Sequence, residues 1–388
     1  MTKLRIFIMI TTILVVSIVG TALIYYARGY RFDQDNLNIA AEGLLVANSD
    51  PNGAQVFVDG ELETATNNTI SLALGTHDIV IKKEGFRPWE KRITIAKDEV
   101  TQVDAFLISI APNLTALTFS GAYNPQISPE NTKIAYAVLP DGDNGEKAGL
   151  WVFETTNLPL GFNRDPKQVT DGDLTEATWE WSPDARDLLL TTNKGVFLLQ
   201  ASAYTPQAQR TNVASQLKTI KKEWEDKRQK LLTTQLGKLH QEIREILEVN
   251  ATDIHFSPDE DRILYTASTS ATIPEDIVQE LPGASTQKQE RDIKVGKSYV
   301  YDIKEDRNFN VADEDKKVYW LPNSINVIIP EEDKIIVKDY DGTNSLDLYS
   351  GQYTAPYAFP SSSSGRILIL TNLGQKEASA NLYWLSLK

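Results

Sequence analysis

The chain has 388 residues, 41% of them hydrophobic and 24% charged, with a net charge of −14 and no cysteine. That length and apolar fraction allow two or three packed domains. The acidic balance excludes nucleic acid as a general partner, because phosphate neutralisation needs clustered Lys and Arg; the lack of cysteine excludes disulfides, thiolate zinc sites and a cysteine nucleophile.

The first predicted element is an apolar helix. Ile6 to Ala27 runs for 22 residues without a charge, where about 20 suffice to span a bilayer. Lys3 and Arg5 precede it, Arg28 and Arg31 follow it, and Tyr25 and Tyr26 stand where an interfacial aromatic belt would. Residues 1–27 are therefore expected to be an uncleaved signal anchor that meets the membrane through residues 6–27. A cleaved signal peptide is the competing reading; its apolar core is shorter and ends in an A-x-A site, and this segment has none. The flanking charges nearly balance, and the orientation adopted is amino terminus inside, remainder outside. Residues 28–41 are polar and read as a stalk.

From 42 to 109 the chain becomes dense in short strands. Segments 43–49, 54–60, 69–75, 76–86, 91–99 and 100–110 read as strands, with Val56 and Val58, then Ile70, Leu72 and Leu74, then Ile79 and Ile81 alternating onto single faces. Asp50-Pro51, Asp59-Gly60, Leu74-Gly75 and Glu84-Gly85 punctuate them. The expected fold is an antiparallel β-sandwich. The segment resembles a PEGA domain, a small β-sandwich of bacterial and archaeal surface and envelope proteins. The resemblance rests on Pro51-Asn52-Gly53-Ala54, Val56-Phe57-Val58-Asp59-Gly60, Leu74-Gly75-Thr76-His77, Lys83-Glu84-Gly85-Phe86 and Trp89, with Asn52 in place of the usual Glu. It implies a surface-interaction module and names no ligand. Phe86 and Trp89 are expected to pack in the core or at an edge, with a glycan or partner contact as the alternative.

A weak repeat follows from residue 110. Segments 126–138, 180–192, 255–267, 319–331 and 358–370 each pass from an aromatic or aliphatic residue through a Ser-Pro, Leu-Pro or Pro-Ser turn into an apolar strand. A second strand comes after each, at 149–156, 195–200, 298–306, 334–342 and 381–388. Such units cannot bury their own faces and stack around an axis. The S-P-D turn before a strand resembles the TolB-like β-propeller repeat, which implies a propeller over 110–388 with five or six blades. Residues 114–123 are expected to supply a closing strand or a remnant of another blade.

Residues 206–250 break the β pattern. Val213, Leu217, Ile220 and Trp224 form one helical stripe; Leu232, Leu236, Leu239, Ile243 and Ile246 form a second, out of register with the first across Lys227–Leu231. A helical hairpin near Thr233-Thr234 or a bent helix accounts for the slip. Glu223–Lys227 and Asp226–Lys230 are favourable i, i+4 pairs, and the stretch holds nine basic against six acidic residues. It reads as a decoration lying on the propeller or as a partner-binding arm. Residues 268–296 lack periodicity and are expected to be an exposed loop.

Chemistry is sparse. His77, His240 and His255 have no metal-ligand spacing, and no metal or cofactor is expected. Val295-Gly296-Lys297-Ser298 suggests a phosphate loop, but Arg291 stands where its first glycine belongs. No G-x-S-x-G nucleophile elbow occurs. The acidic turn 141–146 resembles half a calcium loop through Asp141 and Asp143, but Gly145 has no side chain to donate and Val152 occupies the terminal ligand position, so it reads as a solvated turn, as does 170–176. No catalytic residue is singled out, and an enzyme is not expected. The reading is a single-pass envelope scaffold or binding protein contacting cell-wall polymer or a protein partner. A sensor or assembly factor acting through the helical arm, and an envelope carbohydrate-active enzyme using the propeller cleft, remain as alternatives.

Overall fold

A computed structural model describes residues 2–27, 30–33, 38–97, 99–140, 146–156, 165–278, 285–313, 316–375 and 378–388. The chain divides into two compact units. One comprises Met1–Ile108 with Gln279–Lys288; the other comprises Ser109–Val278 with Gln289–Lys388.

The first unit opens with helix α1 (Thr2–Ala27). Its central window Phe7–Ile24 has a mean hydropathy of 2.5, and the helix is long and apolar enough to cross a membrane. Thr11 and Thr12 donate their hydroxyls to the carbonyls of Phe7 and Ile8, so these polar groups are satisfied within the helix.

Eight strands follow: β1 (Tyr30–Asp33), β2 (Asn38–Asp50), β3 (Gln55–Val58), β4 (Glu61–Ala65), β5 (Asn68–Ala73), β6 (Gly75–Lys82), β7 (Trp89–Ile95) and β8 (Val100–Phe106). They form two four-stranded sheets. In one, β2 pairs β1, β5 and β8; in the other the order is β4-β3-β6-β7. Between them lie the apolar faces expected from alternation: Leu45, Val56, Val58, Leu72, Ile79, Ile81, Ile93, Val103 and Trp89 are buried together. Two features differ from the sequence expectation. The sandwich is not purely antiparallel, since β8 runs parallel to β2 from Leu44↔Val100 to Asp50↔Phe106. The segment 28–41 is also not a plain stalk, because β1 pairs with the first four residues of β2. Gly43 is needed where β2 passes the turn after β7, since a Cβ there would meet the Ala96 carbonyl oxygen at 2.4 Å.

The second unit is built of consecutive antiparallel sheets. After β9 (Leu114–Ala116), the first sheet holds β10 (Tyr123–Ile127), β11 (Lys133–Val138), β12 (Gly149–Glu154) and β13 (Lys167–Asp171). The second holds β14 (Thr178–Trp181), β15 (Asp187–Thr192) and β16 (Gly195–Gln200). The helical insertion follows as α2 (Leu217–Leu236) and α3 (Gln241–Asn250). The third sheet holds β17 (Ala251–Phe256), β18 (Arg262–Ala267), β21 (Ser298–Asp302) and β22 (Arg307–Ala312), interrupted by the two-stranded β19 (Ala271–Thr272) and β20 (Asp292–Ile293). The fourth is β23 (Tyr319–Trp320), β24 (Asn326–Pro330), β25 (Ile335–Asp339) and β26 (Leu346–Tyr349). In the fifth, β27 (Ala358–Pro360), β28 (Arg366–Thr371) and β29 (Asn381–Ser386) are joined by β9, which pairs β29. The segment just after the sandwich thus closes the last sheet.

The Ser-Pro turns explain why the units repeat. The backbone N–H of Ser128, Ser182, Ser257 and Leu321 each donates to the carbonyl five residues on. Three residues into each turn, Asn131, Ala185, Glu260 and Ser324 have φ between 52° and 61°, a left-handed position that lets the chain reverse in a tight loop. Ser128, Ser182 and Ser257 also accept backbone N–H groups through Oγ.

Apolar seams join successive sheets. Leu150 and Val169 of the first pack with Trp179 and Leu188 of the second. Leu264 and Phe309 of the third pack with Trp320 and Val327 of the fourth. The fifth returns to the first through Leu368, Trp384, Ile134 and Phe153. The fourth meets the fifth at Tyr319 and Phe359, whose rings are 6.1 Å apart. Two tryptophans sew inner strands together: Trp181 Nε1 donates to the Gln126 carbonyl and Trp320 Nε1 to that of His255, each at 3.1 Å. The order and ring of seams define a β-propeller.

Between the second and third sheets the seam is helical. Val213, Leu217, Ile220 and Trp224 pack on Leu189 and Val196 of the second sheet. Leu232, Leu236, Leu239, Ile243 and Leu247 pack on Ile263, Tyr265, Tyr299 and Tyr301 of the third. The two stripes are out of register because they face different sheets, while residues 225–231 are exposed all round. The break lies at Gly237–His240, not at Thr233-Thr234, where α2 continues unbroken. In place of the expected i, i+4 pairs, Lys221 reaches Glu180 at 3.2 Å, Lys227 lies 4.0 Å from Asp184, and Arg228 pairs Glu225 at 3.0 Å. The 268–296 segment likewise departs from a bare exposed loop, since Ile273 and Ile293 are buried in the third sheet's core.

Candidate functional site

The sandwich sorts its sequence markers onto two ends. At one end Lys83, following β6, donates from Nζ to the carbonyls of Asn52 at 2.9 Å and Gly53 at 3.4 Å. A single ammonium thereby ties the Pro51–Ala54 turn to the Lys83–Phe86 turn across 31 residues of chain. The turn itself is held by Ser49 Oγ, which donates to the Pro51 carbonyl, and by Thr66 Oγ1, which accepts the Ala54 N–H. Beside the pinned loops is an open cavity of about 340 Å³ lined by Gln55, Lys82, Lys83, Glu84, Phe86 and Pro88. Lys82 Nζ stands 5.0 Å from the Phe57 ring centroid, a cation–π arrangement that holds its charge at the rim. The cavity offers the cation of Lys82, one carboxylate, one amide and an aromatic wall, with Lys83 engaged by the turn carbonyls. That is a set for a polar ligand bearing carboxyl, amide or hydroxyl groups. Trp89, by contrast, is buried in the core, and Phe86 is half-buried at the cavity wall.

At the other end Asp59 of the β3–β4 turn accepts the Asp78 N–H at 2.9 Å and faces His77 Nδ1 at 2.7 Å. Burial works against protonation of His77, but hydrogen bonds to Asp59 and to the Ala73 carbonyl, with the charge of Asp59, raise its pKa above the ordinary imidazole value. The Asp78 N–H and the imidazole hold the Asp59 carboxyl below its ordinary range.

The remaining sequence candidates stand apart. His240 is the residue preceding α3. His255 lies exposed on β17. Among the described residues no group of three or more His, Asp or Glu could hold a metal ion. Lys297 pairs Asp313 at 3.0 Å and Ser298 begins β21, so the Val295–Ser298 stretch leads into a strand and not the helix a phosphate loop requires. In the 170–176 turn, Asp173 accepts both the N–H and the hydroxyl of Thr175, which lower its pKa. Residues 141–145 of the other acidic turn lie outside the described residues.

The propeller carries a second cavity, of about 270 Å³, which sequence reasoning missed. Leu117, Phe119, Tyr136, Val138 and Trp151 supply its apolar wall, and Lys147 and Asp165 its charges. Phe119 is 84% exposed there. Its position in the closing segment is set by tertiary pairing alone, with no local pattern to reveal it.

Residues 42–109 match the model of the PEGA domain. No curated protein matches the chain. Among solved structures, a putative TolB from Agrobacterium tumefaciens is similar over 68% of this chain and 77% of its own, at 13% identity and a TM-score of 0.23. The β-propeller domain of Cps50 (Swd1) from Myceliophteria thermophila is similar over 71% and 99%, at 10% identity and a TM-score of 0.30. The β-propeller domain of the Trilobed protease from Pyrococcus furiosus is similar over 80% and 78%, at 13% identity and a TM-score of 0.20. At such scores the propeller rests on the sheet order and seams described above.

Proposed function

We propose that the chain is a non-catalytic binding protein of the cell envelope, held in the membrane by α1 and presenting its β domains outside. The observation that carries this reading is the pinned pair of loops at 51–54 and 83–86 beside a polar cavity with an aromatic wall. Lys83 is spent on holding backbone carbonyls, so the site is preformed, as recognition sites are. The mixed donors and acceptors suit cell-wall polymer, whose sugars and peptides carry hydroxyl, amide and carboxylate groups.

The test is cosedimentation of the full chain in mild detergent with purified cell-wall sacculi. Lys82→Ala and Phe86→Ala are compared with wild type, each alters the cavity without removing the pin. Loss of pelleting in both, with retained pelleting of a propeller-cavity variant such as Phe119→Ser, supports the reading. Equal pelleting of all four proteins, or none by wild type, removes the sandwich as a wall-binding module.

A protein partner at the helical insertion is the second reading. It is favoured by the exposed span 225–231, which joins two sheets without packing on either and carries Leu231 at 61% exposure. Site-directed crosslinking from position 231 in cells tests it: a discrete adduct supports the arm as a contact, and its absence leaves α2 as a structural bridge.

A further inference from the structure

Four large apolar side chains of the sandwich stand exposed among its described residues: Leu44, Leu62, Leu74 and Val100, at 39%, 56%, 41% and 60%. The strand registers place all four at one end. Leu44 is paired with Val100 at the start of β8. Leu74 follows Ala73, the partner of Glu42. Leu62 is opposite Phe57, one pair from the Asp59-Gly60 turn, and that turn is bound to Asp78 and His77, just beyond Leu74. The same end receives the chain from α1. Tyr30 of β1 pairs with Ala41, next to Glu42, and only residues 28–29 separate it from the last residue of α1, Ala27. Three peptide steps reach about 11 Å at most.

We propose that this end of the sandwich is a lipid-contacting surface, seated in the headgroup zone of the bilayer that α1 spans. It rests on the reading of α1 as a membrane anchor. With so short a connection, the end that carries β1 cannot leave the membrane surface, and apolar side chains there bury area at an interface that reaches about 5–10 Å deep. The opposite end, with Lys83 and the cavity, is turned toward the wall. Charge does not drive the contact. Asp59, Glu61, Glu63 and Asp78 lie around the same rim, with Asp59 held by His77 and Asp78 by Arg92, so an anionic surface gains little and apolar insertion carries the contact.

The chain has no cysteine, so single cysteines introduce unique labels. Full-length Leu62→Cys, Leu74→Cys, Val100→Cys, Glu84→Cys and Ser17→Cys are each labelled with an environment-sensitive fluorophore. They are reconstituted in phosphatidylcholine vesicles without nitroxide, with lipids carrying a nitroxide near the headgroup, and with lipids carrying one deep in the acyl chain, which reads position 17 near the bilayer centre. The expected result is quenching of about twofold or more at 62, 74 and 100, within the interfacial depth, quenching at 17, and none at 84. Quenching at 17 with 62, 74 and 100 as unaffected as 84 overturns the proposal and leaves the anchor standing. No quenching at 17 overturns the anchor reading itself. Blue-shifted but unquenched labels at 62, 74 and 100 mean that protein, not lipid, covers the end, and also overturn it. The three positions are independent, so failure of one variant to fold leaves two that decide.

Discussion

His77 stands between two acceptors: Nδ1 is 2.7 Å from Asp59 Oδ2 and Nε2 is 2.9 Å from the Ala73 carbonyl oxygen. A neutral imidazole can donate to only one of them, so the site favours the imidazolium. The pair ties the β3–β4 turn to the start of β6, at the end of the sandwich proposed to face lipid.

A pH dependence follows from the two shifts. The His77 pKa is raised, so its contribution is complete below the ordinary value of 6.5 and fades as pH rises through the higher folded value. The Asp59 pKa is lowered, so its contribution is complete above the ordinary 3.8 and fades as pH falls through the folded value. The pair therefore supports the sandwich most fully between about pH 4 and 6.5. Because Asp59 is half-exposed, the effect is about 1 kcal/mol or less. Thermal melting of wild type and Asp59→Asn across pH checks this: the gap between them is widest inside that window and narrows on both sides.

Trp181 and Trp320 each bury an indole at a seam and donate to the preceding sheet. Replacing either by Phe removes the bond and deletes buried volume. The expected cost is about 1–3 kcal/mol for each. Urea unfolding followed by far-UV circular dichroism measures it. Equal loss at both sites shows that the two bonds serve the same purpose.

The helical bridge predicts a contrast within α2. Trp224 is buried against Leu189 and Val196, so Trp224→Ala destabilises by about 3–5 kcal/mol. Leu231 is exposed, so Leu231→Ala changes stability by no more than about 0.5 kcal/mol. Limited proteolysis adds a second readout: Trp224→Ala speeds cleavage within 225–231, where lysine and arginine are accessible, and Leu231→Ala does not.

Gly43 sits where an added methyl would meet Ala96 O at 2.4 Å and Ile95 Cγ2 at 2.5 Å. Backbone cannot yield as a flexible side chain does, so Gly43→Ala is expected to cost about 1–3 kcal/mol. Differential scanning calorimetry would show the transition of the sandwich unit lowered and that of the propeller unit unchanged.

Much of the architecture was legible before any tertiary information. Period-two alternation placed Val56, Val58, Ile79 and Ile81 on the buried faces where they lie, because a strand's side chains alternate whatever it pairs with. The Ser-Pro turns marked successive sheets, since a serine oxygen and a left-handed residue close the turn within five positions. The slip between the two helical stripes was visible as well, although its position on α2 suggested a break that the helix does not make.

Other features had no local signature. Nothing near Leu44 specifies that it lies beside Val100 in a parallel pair, or that Lys83 holds the carbonyl of Asn52. The exposed Phe119 depends on the pairing of the closing strand with the last sheet, and the gathering of Leu44, Leu62, Leu74 and Val100 at one end on the registers of the sandwich strands. The amino-acid sequence by itself determined the apolar helix, the strand faces, the turn chemistry and the order of modules, because each is decided by residues a few positions apart. Only the tertiary structure decided which edges pair, what Lys83 holds and which end of the sandwich is apolar, because those depend on chain segments that meet from tens of residues away.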